Sequence, residues 1–135
     1  MYRQIIIRTV KLPAQANPNK DIEWLCDSFG LTSGRDTEKM CQRILLTILR
    51  NVAKSGEVSA EEIAHELHIA PQRVNYHIRG LMQTGLIYRE HKQIYLRDGS
   101  VKAAIEEMRK DANRLFDKMS TLAQEIDKSM GFKNR

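Results

Sequence analysis

Apolar residues recur every three or four positions over most of this chain, which is the spacing of helices that bury one face. The spacing predicts helices over residues 19–29, 36–54, 59–67, Pro71 to Thr84, and about 100 to 130. A chain of 135 residues can bury one core and carry extensions. The protein is therefore predicted to be a mainly α-helical single domain.

Two regions have the pattern of β-structure instead. Residues 2–12 are rich in β-branched side chains and end at Pro13, which predicts a strand followed by a loop, although no partner strand is evident. Residues 86–89 and 93–97 flank a polar tip, Glu90 to Lys92, as the two strands of a hairpin would. The predicted fold is mainly α with a small β-hairpin.

Local signals fix several helix ends. Asp36 can cap the second helix, and Ser59 with Glu62 forms a capping box for the third. Pro71 suits the first turn of the fourth helix, where its missing N–H has no partner to lose. Gly85 is a typical helix stop.

The last predicted helix carries an apolar seam of alternating four- and three-residue steps. A seam this narrow and regular favours pairing with another helix, so we expect a dimer. Its small and flexible members predict a loose coiled coil or a helical bundle interface. The seam consists of Val101, Ile105, Met108, Ala112, Leu115, Met119, Leu122 and Ile126.

These patterns divide the chain into three parts. Residues 1–35 form an N-terminal strand and short helix, residues 36–97 form a compact helical unit with the hairpin, and residues 98–135 form the long dimerisation helix. The sequence alone assigns no role to the first part.

Charge is segregated along the chain, whose formal net charge is +5. Residues 57–70 contain four glutamates and no Lys or Arg, whereas residues 71–97 contain five basic residues and only Glu90 as an acid. A basic strip of this kind is what contacts to phosphate require.

Other function classes find little support. No apolar run approaches the roughly 18 residues of a membrane span, and the charged start of the chain is unlike a signal peptide, so we expect a cytoplasmic protein. Cys26 and Cys41 are predicted to be reduced thiols packed as small apolar groups. His65 and His68 lack further spaced ligands, so neither a metal nor a cofactor is expected. No phosphate loop, nucleophile elbow or metalloprotease helix is present, which argues against an enzyme.

One segment, 56–97, resembles the winged helix-turn-helix of the ArsR, MarR and TrmB-like prokaryotic regulators. The resemblance rests on its run EEIAHELHIAPQRVNYHIRGLMQTGLI, in which a Val-x-x-His-Ile-x-x-Leu helix ends in Gly-Leu-Ile. It implies a winged-helix fold, followed here by the long dimerisation helix predicted above, and binding to double-stranded DNA. The Cys-x-Cys run of the metal-sensing ArsR branch is missing, so metal sensing is not expected.

In such a fold the helix from Pro71 to Thr84 enters the major groove. With Val74, Ile78 and Leu81 facing inward, its outward side chains can hydrogen-bond base edges, and Arg79 could bind a phosphate instead. For His77 a structural role is as probable as a DNA contact. The outward positions are Gln72, Arg73, Asn75, Tyr76 and Arg79.

The hairpin would form the wing, which meets phosphate or the minor groove. Its candidate contacts are Arg89, His91, Lys92 and Gln93.

The function expected from these features is that of a homodimeric transcriptional regulator, more commonly a repressor, on an inverted repeat. One alternative is a winged-helix module that binds other proteins of the transcription apparatus and holds DNA only weakly. Another is a ligand-gated regulator with a pocket between Trp24, Phe29 and the long helix. The sequence identifies no effector.

Overall fold

The computed structural model describes residues 7–8, 10–14, 17–31 and 39–133. These residues form five α-helices, three short strands and one 3-10 turn at Arg97–Gly99. In chain order the elements are α1 (Pro18–Ser28), α2 (Met40–Ser55), β1 (Val58–Ser59), α3 (Ala60–Leu67), α4 (Pro71–Thr84), β2 (Ile87–Glu90), β3 (Gln93–Leu96) and α5 (Val101–Met130).

Side-chain caps fix the starts of three helices. Asn17 Oδ1 accepts hydrogen bonds from two amides of α1, at 3.0 and 3.4 Å. Ser59 Oγ accepts from the Glu62 amide at 3.1 Å, as the capping box predicts. Ser100 Oγ accepts from the Ala103 amide at 3.0 Å and starts α5. The predicted cap at Asp36 lies outside the described residues.

The sheet has the order β1-β3-β2 and is antiparallel throughout. The predicted hairpin is confirmed, but its tip is shorter than expected, because Glu90 is still in β2 and pairs with Gln93. Only His91 and Lys92 form the turn, with φ values of 49° and 68°. Two consecutive positive φ values are typical of a type I′ turn, which matches the twist of a hairpin. We call the β2–β3 hairpin the wing.

Strand β1 was not predicted. Its two residues, Val58 and Ser59, pair with Ile94 and Gln93 of β3. Two residues are too few to show an alternating pattern, so the sequence indicated only the helix cap at Ser59. The strand attaches the start of α3 to the wing.

The core surrounds α2, which packs against α1, α3, α4, β1 and β3. Ile44 and Ile48 of α2 are fully buried, as are Ile63 of α3, Ile78 of α4 and Ile94 of β3. Burial of such side chains contributes roughly 1.5–3 kcal/mol each, so this cluster holds these four elements together. The orientation of α4 is thus fixed by the core.

Helix α5 joins the core only through its first three turns. Ala104 is fully buried, and Val101, Ile105 and Met108 pack against the core while partly exposed. Arg97, just before α5, donates a 2.8 Å hydrogen bond to Asp111 in a half-buried ion pair. Beyond Ala112 nearly every side chain of α5 is exposed within the described chain.

The N-terminal segment differs from its prediction. Residues 7–8 and 10–12, the described part of the predicted strand, are not in a strand, and the rest of that strand lies outside the described residues. The Arg8 amide donates to Ser28 O at 2.7 Å, and the Trp24 indole donates to Val10 O at 3.0 Å. The described part of the segment therefore bonds to α1, and none of its hydrogen bonds reaches the sheet. Among the described helices, none is both long and apolar enough to cross a lipid bilayer.

Candidate nucleic-acid interface

Helix α4 has one apolar and one polar side. Val74, Ile78 and Leu81 are each 0% exposed, because they lie on the stripe that packs against α2 and α3. Pro71 starts the helix, and Gly85, with φ of 90°, ends it. Both predicted ends are confirmed, and the opposite side of the helix is left to solvent.

The structure places the predicted outward side chains on that solvent side. Gln72, Arg73, Tyr76 and Arg79 are exposed, and the Tyr76 ring stands edge-on to the His77 ring at 5.1 Å. Asn75 is only half-buried. These five residues span about two helical turns, so together they form a continuous polar surface long enough to contact several bases.

Asn75 is held by the wing. The Arg89 guanidinium donates a 2.8 Å hydrogen bond to Asn75 Oδ1. Arg89 can reach α4 because side chains alternate along β2, which puts Arg89 on the same side as the buried Ile87. This contact was not predicted. The sequence did show that Arg89 lies two residues after Ile87, which places both side chains on the same face of the strand.

The other face of the wing carries a pair of aromatic rings, which the sequence analysis also missed. Tyr88 and Tyr95 are paired across the strands, and their rings stack at 5.2 Å. Desolvation raises the pKa of Tyr95, and the nearby carboxylates of Glu57 and Glu90 raise it further. The signal that could have found them is a tyrosine on each strand of the hairpin, since a two-residue turn at His91 and Lys92 sets Tyr88 opposite Tyr95.

The remaining predicted wing residues lie at and beside the turn. His91 and Lys92 are exposed at its tip, and Gln93 is half-buried at the start of β3. Arg97 belonged to the basic block of the sequence but not to this surface, because it binds Asp111. The hydrogen bond to Asp111 raises the pKa of the Arg97 guanidinium. The exposed basic residues of α4 and the wing are Arg73, Arg79, Arg89 and Lys92.

A cavity of about 400 Å³ lies beside α4. It is lined by the residues after α1, including Phe29 and Leu31, and by His77, Gly80 and Thr84 of α4. Of the residues in the pocket hypothesised against the long helix, Phe29 lines this cavity but Trp24 does not, so that pocket stays a hypothesis. His77 lies at its wall, half-buried.

The predicted seam divides into two parts. Val101, Ile105 and Met108 contact the protein's own core, and Ala112 is half-buried. The remaining seam positions lie on the exposed part of the helix: Leu115, Met119, Leu122 and Ile126.

The structure also places the cysteines and the pair His65 and His68. Cys26 and Cys41 are buried and form no disulfide, as predicted. The rings of His65 and His68 are 6.5 Å apart, and within the described ranges no three potential ligands cluster closely enough to hold a metal ion.

A helix-turn-helix whose second helix presents a polar face beside a basic hairpin defines a winged helix-turn-helix protein. Residues 43–93 match the MarR family, from the first turn of α2 to the first residue of β3. Over this segment the chain is similar to the MarR family, a class of DNA-binding transcriptional regulators. No curated protein and no solved structure shows significant similarity to the chain.

Proposed function

We propose that this protein is a sequence-specific regulator of transcription that binds double-stranded DNA as a homodimer on an inverted repeat. The observation that carries the proposal is the polar face of α4, which is held rigidly by the core and flanked by the basic wing. A regulator of promoters acts where the DNA is, which in a prokaryotic cell is the cytoplasm.

In this proposal α4 enters the major groove. Arg73 and Arg79 are suited to guanine, and Gln72 and Asn75 to adenine, since these pairs form two hydrogen bonds to one base. Tyr76, 64% exposed, adds an apolar ring that can contact a thymine methyl group. Arg79 lies on the cavity side of the helix and could bind a phosphate there.

The wing then contacts the DNA backbone or the minor groove beside the α4 site. His91 and Lys92 reach furthest because they form the turn, whereas Gln93 lies one residue back. Positive charge at the tip would fix the register of the domain on the duplex and supply salt-dependent affinity.

Two winged helices related by a twofold axis bind two half-sites in opposite orientation. Their centres are expected roughly 34 to 36 Å apart, or a multiple of this distance. Occupation of such a site within a promoter would exclude the transcription machinery, so we propose repression as the mode of action.

The test is a selection from random duplex DNA at about 150 mM salt, where non-specific binding is weak. The wild type is compared with a double variant, Arg73→Ala with Asn75→Ala. We expect an enriched inverted repeat with the wild type only, because two lost base contacts cost about 2 to 6 kcal/mol of specificity.

The matched control removes the same two side-chain types elsewhere. Asn113→Ala with Arg114→Ala changes exposed residues of α5 and should leave the selected sequence unchanged. If the wild type enriches no sequence, the regulator proposal fails, and the winged helix is better explained as a protein-binding module.

A further inference from the structure

The second half of α5 carries an exposed apolar stripe. Leu115 is 48% exposed, Leu122 is 65% exposed, and Met130 at the helix end is 71% exposed. Phe116, Met119 and Ile126 extend the stripe between them. A stripe this long on a charged helix is characteristic of a surface covered by a partner.

Heptad positions show which residues border the stripe. With Met119 and Ile126 at position a, Leu115 and Leu122 occupy position d. The e positions are then apolar, as at Phe116 and Ala123, whereas the g positions hold the opposite charges Lys118 and Glu125. These flanking positions decide which orientation of two helices is favourable.

We propose that two copies of α5 pair as an antiparallel coiled coil in which Lys118 faces Glu125 of the partner subunit. The inference rests on the proposed homodimer and adds its orientation and register. The twofold axis of the helix pair passes between Ser120 and Thr121. Each contact between the two helices therefore occurs twice.

Charge complementarity favours this orientation. In an antiparallel coiled coil, g positions face g positions, so the homodimer gains two Lys–Glu pairs. In a parallel coiled coil, g faces e, which sets Lys118 against Ala123 of the partner subunit and Glu125 against Met130 of the partner subunit. Within the described chain, neither Lys118 nor Glu125 takes part in an ion pair of its own subunit.

The same register places apolar side chains opposite one another along the whole exposed stripe. Met119 packs on Leu122 of the partner subunit, and Leu115 packs on Ile126 of the partner subunit. At the edge of the stripe, Phe116 lies over Ala123 of the partner subunit, where a small residue leaves room for a ring. Such complementary layers are what a coiled-coil core needs.

The length of α5 gives an independent argument. Val101, Ile105 and Met108 of the seam already contact the protein's own core, so the winged helix occupies that end of the seam. In the antiparallel register, Met130 of the partner subunit lies opposite Asp111, and its helix ends there at Gly131. The partner helix thus stops where the winged helix begins. A parallel partner would instead continue along the occupied face.

Charge reversal measured by sedimentation equilibrium tests the proposal on the full-length protein. Lys118→Glu or Glu125→Lys alone should raise the dimer dissociation constant about tenfold, because two attractive pairs become repulsive. The double variant, or a mixture of the two single variants, should restore it. The control is Asp117→Lys, which reverses a charge on the outward side of the helix and should have little effect.

Disulfide cross-linking determines the relative orientation of the two α5 helices directly. A mixture of Met119→Cys and Leu122→Cys proteins should cross-link, while Leu122→Cys alone should not. The native cysteines are at most 1% exposed and do not compete. A dimer in which Leu122→Cys links to itself, or in which charge reversal has no effect, overturns the antiparallel pairing but leaves the homodimer intact. A monomer in sedimentation overturns both, and the DNA selection then decides separately whether the regulator proposal survives.

Discussion

Arg89 of the wing donates a 2.8 Å hydrogen bond to Oδ1 of Asn75 on α4. The contact joins the two parts of the proposed interface, since one residue belongs to the hairpin and the other to the helix that would read bases. It also occupies one lone pair of Asn75 Oδ1, which leaves the second lone pair and the two N–H donors of the amide for other partners. The two residues should therefore act as a unit.

A double-mutant cycle on DNA affinity measures this coupling. Asn75→Ala and Arg89→Ala together should cost less than the sum of the single variants, by about 0.5 to 1.5 kcal/mol, because each single change already breaks the shared hydrogen bond. The control pairs Asn75→Ala with Lys92→Ala, which should be additive. Additivity in both cycles would mean that the wing does not position Asn75.

The ion pair between Arg97 and Asp111 is the polar link between the winged helix and α5. Both side chains are less than a fifth exposed, at 18% and 17%, so the pair is poorly screened by solvent. Arg97→Met should lower the free energy of unfolding by about 1.5 to 3 kcal/mol, since half-buried Asp111 loses a charge-assisted hydrogen bond but keeps its pair with Arg114. Arg97→Lys should recover only part of the loss.

Denaturant unfolding at one fixed protein concentration checks this value, because a dimer's stability depends on concentration. Arg114→Ala serves as the control. Arg114 also pairs with Asp111 but is 65% exposed, so its loss should cost well under about 1 kcal/mol. Equal losses for the two arginines would contradict the assigned role of Arg97.

The ends of α4 could be predicted from the sequence because Pro71 and Gly85 act locally. Proline at the first turn and glycine after the last turn constrain the backbone regardless of what packs nearby. The seam of α5 was equally visible, since its periodicity is a property of one helix. Its division into a core-packed half and an exposed half was not, because it depends on where the winged helix attaches.

Contacts between elements account for what the sequence did not reveal. Strand β1 exists only because β3 pairs with it, and two residues carry no pattern of their own. The hydrogen bond between Arg89 and Asn75 joins residues 14 positions apart on two elements, whose relative orientation is set by the core. Arg97 was grouped with the DNA-facing charges because a count of charges cannot show that Asp111 binds it.

Two glycines of the α4 region should respond oppositely to alanine. Gly80 lies within the helix, and a Cβ there would meet the side chain of Leu31 at 3.5 Å, an ordinary van der Waals contact. Gly80→Ala should therefore stabilise the fold by about 0.5 to 1 kcal/mol through helix propensity. Gly85 has φ of 90°, so Gly85→Ala should destabilise the fold by about 1 to 2 kcal/mol.

Thermal unfolding of the two variants beside the wild type gives the comparison, and each glycine is the control for the other. A stabilised Gly85→Ala variant would show that the end of α4 does not need a left-handed residue. A destabilised Gly80→Ala variant would show that the space beside Leu31 is needed for packing.

The two residues of the wing turn are not the ones that best stabilise its backbone conformation. His91 and Lys92 adopt positive φ values of 49° and 68°, which Asn and Gly adopt more readily in a type I′ turn. Replacing them with His91→Asn and Lys92→Gly should stabilise the fold by about 1 kcal/mol, because the backbone strain of the turn is relieved.

The same double variant should bind DNA more weakly, since the positive tip is lost. The slope of the logarithm of the binding constant against the logarithm of salt concentration reports phosphate contacts. If Lys92 contacts a phosphate, the magnitude of this slope should fall by about one for each wing. His91→Asn alone keeps Lys92 and should keep the wild-type salt dependence. A stabilised double variant with undiminished affinity and an unchanged slope would place the wing tip away from the DNA.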